Sequence, residues 1–168
     1  ADARNGWAVG HGGIILATRD GGETWAIQHT ADGKPVLLGV HFTDADHGYV
    51  VGAYGTAMRT ADGGKTWEPM PVGEGRDADL HLNHVFSGPD GLLVAVGESG
   101  SAFRSKDGCQ RWTRLATGVS GSLWSGLQRK SGQLLLLGMS GKVLESTDQG
   151  EHWTVLETGT TQALTGGV

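Results

Sequence analysis

The sequence predicts an all-β protein, a β-propeller built of four-stranded antiparallel blades, and three observations carry the prediction. An octapeptide recurs four times at a blade-sized period, 30 glycines among 168 residues punctuate short apolar runs, and no stretch sustains a helical period. The octapeptide is Thr18-Arg19-Asp20-Gly21-Gly22-Glu23-Thr24-Trp25. It returns as Thr60-Ala61-Asp62-Gly63-Gly64-Lys65-Thr66-Trp67, as Ser105-Lys106-Asp107-Gly108-Cys109-Gln110-Arg111-Trp112, and as Ser146-Thr147-Asp148-Gln149-Gly150-Glu151-His152-Trp153. The Asp positions lie 42, 45 and 41 residues apart.

Each copy reads as a hairpin turn with an anchor. An Asp followed by Gly accepts hydrogen bonds from its own downstream amides while the Gly takes positive φ. The hydroxyl two residues before the Asp closes the same turn. The Trp re-enters a strand and is expected to bury its ring, about 150 to 250 Å² of surface and about 4 to 6 kcal/mol at most. Four carboxylates at this spacing do not converge, so Asp20, Asp62, Asp107 and Asp148 are assigned to structure together with Trp25, Trp67, Trp112 and Trp153. No metal site and no cofactor are expected.

The motif resembles the Asp-box, or bacterial neuraminidase repeat, which occupies the turn between the third and fourth strands of propeller blades. The match is closest in the first two copies. Cys109 and Arg111 depart from it in the third, and His152 departs in the fourth.

Taken in order, residues 6–10 and 13–18 form two strands of a first blade, which ends in a strand from Trp25. The second unit is complete, with strands at Pro35–Phe42, Gly48–Gly52, Thr56–Thr60 and Thr66–Met70. The third repeats it at His81–Phe86, Leu92–Gly97, Ser101–Ser105 and Arg111–Leu115, and the fourth at Leu123–Leu127, Leu134–Gly138, Lys142–Ser146 and His152–Leu156. Four antiparallel strands per repeat is the propeller pattern. The blades are therefore expected at about 1–30 together with 162–168, 35–71, 80–116 and 121–158.

The first unit lacks a first strand. Ala163-Leu164-Thr165-Gly166-Gly167-Val168 matches Ser122-Leu123-Trp124-Ser125-Gly126-Leu127 position for position, and 168 residues are four times 42. One expectation is that this segment completes the first blade and closes a four-bladed ring, removing exposed edges. The other is that the chain is half of a larger ring of seven or eight blades, either as a fragment of a longer propeller or completed by a second copy as a homodimer.

Gly6-Trp7-Ala8-Val9-Gly10, the boxes and Asp79-Leu80-His81-Leu82-Asn83 together are similar to the photosystem II stability and assembly factor family and its non-photosynthetic bacterial relatives. The resemblance covers essentially the whole chain. It implies a non-catalytic propeller that binds a protein partner, a subunit of a membrane complex, in an extracytoplasmic compartment. It also implies an arginine patch facing that partner, carried here by Arg59 and Arg104, which hold equivalent places just before two boxes.

The turns between second and third strands crown the face opposite the boxes. There the blades offer His11, Tyr54, Glu98 and Met139, while the channel-side strands offer His81, Asn83 and Trp124. These residues differ between blades although their glycine neighbours recur, as a binding face would. Strand alternation is expected to send His81 and Asn83 to one face and His84 to the other.

Other classes are weighed against this. A sialidase-like glycoside hydrolase shares Asp-boxes but needs an arginine cluster and a tyrosine nucleophile, and here Tyr49 reads as a core residue. A carboxylate pair of Glu98 with Glu74 or Asp77 is the remaining catalytic candidate. Carbohydrate binding would use Tyr54 and Trp124 as stacking platforms. A net charge of −5 without a basic run argues against nucleic acid, and no apolar run is long enough to insert into a membrane. Cys109 has no partner for a disulfide within the chain.

Overall fold

The computed structural model describes residues 3–167 and places fifteen strands in four sheets. Strands β1 (Gly6–Val9), β2 (Ile14–Thr18) and β3 (Ala26–Thr30) form a three-stranded sheet. Three four-stranded antiparallel sheets follow, each a consecutive meander. They comprise β4 (Leu37–Phe42), β5 (Gly48–Gly52), β6 (Ala57–Thr60) and β7 (Glu68–Pro69), then β8 (Leu82–Ser87), β9 (Leu93–Gly97), β10 (Ala102–Ser105) and β11 (Thr113–Arg114). The last sheet holds β12 (Leu123–Gln128), β13 (Leu134–Gly138), β14 (Val143–Ser146) and β15 (Thr154–Leu156). The propeller blades expected from the repeats are present. Their fourth strands are shorter than expected because each box turn extends through its Trp.

The core lies between blades. Alternate residues of β5 face opposite neighbours, so Val50 packs with Ile15 and Leu37 toward the first blade while Val51 packs with Leu82 and Val85 toward the third. Phe86, Val94 and Val96 meet Leu123, Leu136 and Leu144 at the third joint. At the first joint Trp7 stacks on Phe42 with ring centroids 3.5 Å apart. Gly48 is required there, since a Cβ would fall 2.3 Å from the Phe42 ring.

The boxes repeat one hydrogen-bond pattern. Thr18 and Thr60 donate from Oγ1 to Asp20 and Asp62 at 2.6 and 2.8 Å and accept from the N–H of Gly22 and Gly64 at 2.9 Å. The carboxylates then accept from the N–H and hydroxyl of Thr24 and Thr66. Asp107 accepts instead from the N–H groups of Gln110 and Arg111, and Asp148 from the His152 N–H with the imidazole Nδ1 at 2.7 Å. In the first two boxes the indole N–H donates to the Gly22 or Gly64 carbonyl, whereas the buried indole N–H of Trp112 and of Trp153 has no partner. Trp67, Trp112 and Trp153 pack on the joint with the preceding blade. Trp25 stays 45% exposed, against expectation, because no blade precedes it among the described residues.

The C-terminal segment also departs from the sequence reading. The first sheet keeps three strands, and residues 163–167 lie as coil on the fourth blade. The Leu164 N–H donates to the Gly138 carbonyl at 3.0 Å, as the Leu37 N–H does to Gly10 at 3.1 Å. Gly167 sits against Leu127 as Gly126 sits against Phe86. Residues 163–167 thus take the place of the first strand of a following blade, because Leu164 repeats the anchoring leucine of every inner strand. Val168 lies outside the described residues.

Candidate partner-binding face

The crown is built on one backbone with four different sets of side chains. Each turn between second and third strands places its middle residue in left-handed backbone, Gly12, Tyr54, Ser99 and Ser140 at φ 73, 53, 56 and 57°. The next residue is always glycine, and at three of the four turns it cannot be otherwise. A Cβ on Gly55, Gly100 or Gly141 would fall 1.7, 1.9 or 1.9 Å from the carbonyl oxygen of Ala78, Val119 or Thr160 in the connection to the next blade. The glycines lock the connections onto the crown, and the middle residues are carried outward.

Tyr54 is the outlier among them. An aromatic residue in left-handed backbone costs about 1–2 kcal/mol. Its ring is 76% exposed and meets the His81 imidazole edge-on, with centroids 4.7 Å apart. Neither packing nor backbone preference explains it, and strain of this kind concentrates at functional sites.

A second device aims side chains along the same face. In β4, β8 and β12 the pairing register shifts at the same place, between Leu37 and Gly39, between Leu82 and His84, and between Leu123 and Ser125. The residue left over in each bulge is Leu38, Asn83 or Trp124. Bulges commonly re-aim a side chain. Leu38 and Trp124 are 44% and 38% exposed, and the Asn83 amide donates to the Leu123 carbonyl at 2.8 Å, tying the third blade to the fourth. Simple strand alternation, which pairs His81 with Asn83 on one face, therefore fails here. Leu38 was missed in the sequence because its unit carries no polar or aromatic residue at that position, although alignment with Asn83 and Trp124 marks it.

The other crown candidates divide. His11 is exposed, and Met139 is 44% exposed at the edge of a cleft of about 420 Å³ lined by Val119, Ser120, Gly121 and Lys142. Glu98 is engaged, since its carboxylate accepts from the His81 N–H at 2.8 Å and so fixes the entry into β8. Asp77 is ion-paired to Arg114. His41 and His84 lie half-buried in the inner strands, His41 with Nε2 2.9 Å from Ser87 Oγ and His84 accepting at Nδ1 from the Gly126 N–H. Burial lowers both, and the neighbouring His84 helps bring His41 down to about 4. No group of three or more metal-ligating side chains occurs among the described residues.

Both arginines of the expected patch bond to the neighbouring blade. Arg104 is buried, donating from Nη1 to the Gln149 carbonyl at 2.6 Å and from Nη2 to Glu151 at 2.7 Å. Arg59 donates to the Gly108 carbonyl at 3.1 Å. Arg19, one blade earlier, donates to Gly63 at 3.0 Å and lies over the Trp7 ring. Gly63, Gly108 and Gln149 are the same box position, the residue after the Asp. These arginines staple each blade to the next box on the face opposite the crown, through a recurring carbonyl acceptor.

Repeating meanders, inter-blade cores and Asp-box turns define an Asp-box β-propeller. The family model of the photosystem II assembly factor YCF48 matches residues 27–161, and the chain belongs to that family. A comparison with curated protein sequences gives no match. Among solved structures, YCF48 bound to D1 peptide is 21% identical with a TM-score of 0.73, covering 92% of this chain and 52% of that one. YCF48 from Cyanidioschyzon merolae is 25% identical with a TM-score of 0.68, covering 95% and 54%. An ancestral GH74 enzyme shares the fold at 16% identity, with a TM-score of 0.74 and coverage of 91% and 23%. The chain spans about half the length of the YCF48 structures it matches.

Proposed function

We propose that this propeller is a non-catalytic scaffold that binds an extended segment of a protein partner across its crown, in the manner that the D1-peptide complex of YCF48 suggests. The carrying observation is Tyr54, an exposed ring held in costly backbone beside His81. Leu38 and Trp124, presented by the bulges, and Met139 extend an apolar strip over neighbouring blades, while Asn83 leaves its Oδ1 for a backbone N–H of the segment. Rigid aromatic and apolar anchors on a preformed surface suit peptide recognition. The partner we assign is a membrane-complex subunit with a segment exposed in an extracytoplasmic compartment. No helix among the described residues is long and apolar enough to cross a membrane.

The test is calorimetric titration of the chain with D1 peptide, with tryptophan emission as a second readout. Saturable binding lost in Tyr54→Ser and Trp124→Ser supports the assignment. An absence of binding, or binding indifferent to both changes, overturns it. The GH74 likeness supports the competing hydrolase reading, for which Glu98 is the candidate acid. Turnover of fluorogenic glycosides that disappears in Glu98→Gln would favour that reading over ours.

A further inference from the structure

The three blade joints are built alike, and each leaves a cleft between the connection that enters a blade and the third and fourth strands of that blade. At the second joint the chain fills this cleft itself. Arg114, on β11, is ion-paired to Asp77 of the connection, and its guanidinium carbon lies over the Phe103 ring, 6.0 Å from the centroid. Trp112 lines the same cleft, of which about 190 Å³ remains. At the first joint the same positions are set for a cation that the chain does not provide. Asp32 stands five residues before the anchoring Leu37, as Asp77 stands five before Leu82, and Trp67 is the box counterpart of Trp112. Pro69, opposite Met58, replaces Arg114, opposite Phe103. Asp32 is exposed, and its carboxylate has no hydrogen-bond or ion-pair partner among the described residues. Half-buried His29 pairs with Ile15 at the place where buried Met70 and Leu115 plug the other two joints. The resulting cleft holds about 590 Å³ and is lined by His29, Asp32, Met58, Trp67 and Pro69 among others. At the third joint the Asp position is Gly118 and Lys142 lines the cleft, so a cation finds no such place there.

We infer that the cleft of the first joint takes an arginine side chain of the bound partner. A guanidinium is planar, so it stacks on an aromatic or apolar wall while its N–H fork reaches a carboxylate, and a lysine ammonium matches neither the flat wall nor the fork. Met58, Trp67 and Pro69 supply the wall and Asp32 the carboxylate, in the places that the second joint gives to Phe103, Trp112 and Asp77. Lys34 is exposed and does not line the cleft. Gly55 and Thr56 of the crown turn border it, so an arginine entering here belongs to the same segment that lies on Tyr54. The partner is the one assigned to the crown, whereas the choice of a guanidinium rests on the joints.

Amide correlation spectra of the nitrogen-labelled chain, titrated with N-acetyl-arginine amide, test the pocket apart from any peptide. Saturable shifts are expected at the Trp67 indole N–H and at the amides of Gly33 and Thr56, with affinity about threefold or more above that of N-acetyl-lysine amide or N-acetyl-leucine amide. Asp32→Asn should weaken the arginine probe by about threefold. Pro69→Arg installs at the first joint what Arg114 does at the second and should abolish the shifts. Asp32 is exposed and unpaired, so its variant decides the matter should Pro69→Arg not fold. Shifts confined to other residues, equal affinity for the leucine or lysine probe, or arginine binding indifferent to Asp32→Asn overturns the assignment. Saturable binding of D1 peptide without the arginine probe would remove this pocket and leave the crown reading, and arginine binding with the expected losses but no peptide binding would remove the crown reading alone.

Discussion

The two faces of the propeller solve opposite problems with the same repeat. On the box face the residues recur and so do their bonds, from Thr18 with Asp20 to Ser146 with Asp148. On the crown the backbone recurs while the side chains change, from Gly12 through Tyr54 and Ser99 to Ser140. Repetition on the box face marks a structural demand that every blade must meet. On the crown most of the structural demand rests on the glycines, with Glu98 the exception, which leaves the middle residues of the turns free to vary.

The sharpest test pairs two glycines of similar φ, one on each face. Gly100 is expected to be the costlier site. In Gly100→Ala the new Cβ collides with the Val119 carbonyl in addition to the left-handed strain, and a loss of about 3 kcal/mol or more is expected. Gly108 has φ 68° and open space around it, so Gly108→Ala should lose only the strain, about 1–2 kcal/mol. Urea midpoints of the two variants decide the matter. Equal losses would mean that the crown glycines do not lock the connections.

Within the box the hydroxyl should outweigh its neighbours. Thr60 is buried and serves Asp62 and the Gly64 N–H at once. Thr60→Val keeps the shape but strands a buried N–H, at about 1–3 kcal/mol. Thr60→Ser should recover most of this by the same denaturation measurement.

Acid should separate the faces again. The Thr66 hydroxyl and N–H hold Asp62 at about 2, and similar bonds lower Asp20, Asp107 and Asp148 below the usual 3.8. A lowered carboxyl contributes stability that is present above its unfolded value and lost as pH falls toward its folded value. The box contribution is therefore complete above about pH 4 and fades below 3.8. His41 acts earlier. Its imidazole must stay neutral in the inner strand, so the unfolded chain binds the extra proton and stability declines from 6.5 down to about 4. Thermal midpoints against pH should show two descents. Asp62→Asn should shrink the lower and His41→Gln the upper. A single descent unaffected by His41→Gln would remove the inner strands from this account.

Much of this was legible in the sequence because repeats state their own alignment. The box period gave the blades, and the Gly-rich turns placed His11, Tyr54, Glu98 and Met139 on one face. The bulges were not legible, since Leu38, Asn83 and Trp124 share no chemistry and only the register shift unites them. Nor was the use of Arg59 and Arg104, because an arginine bound to a neighbour's carbonyl reads the same as a free one. The end of the chain misled for a related reason. The Leu164 pattern identifies an inner strand but does not say which blade that strand adjoins.

The smallest effect on stability is expected where the effect on binding is largest. Tyr54→Asn replaces a strained aromatic by a residue that accepts left-handed backbone, a gain of up to about 1 kcal/mol that offsets the lost edge contact with His81. The unfolding midpoint should stay within error of the parent or rise slightly. Peptide binding should fall by about tenfold or more, as removal of a central aromatic anchor commonly costs at least about 1.4 kcal/mol. A variant that loses stability and keeps its affinity would make Tyr54 a packing residue after all, and the strain at the crown would then belong to structure.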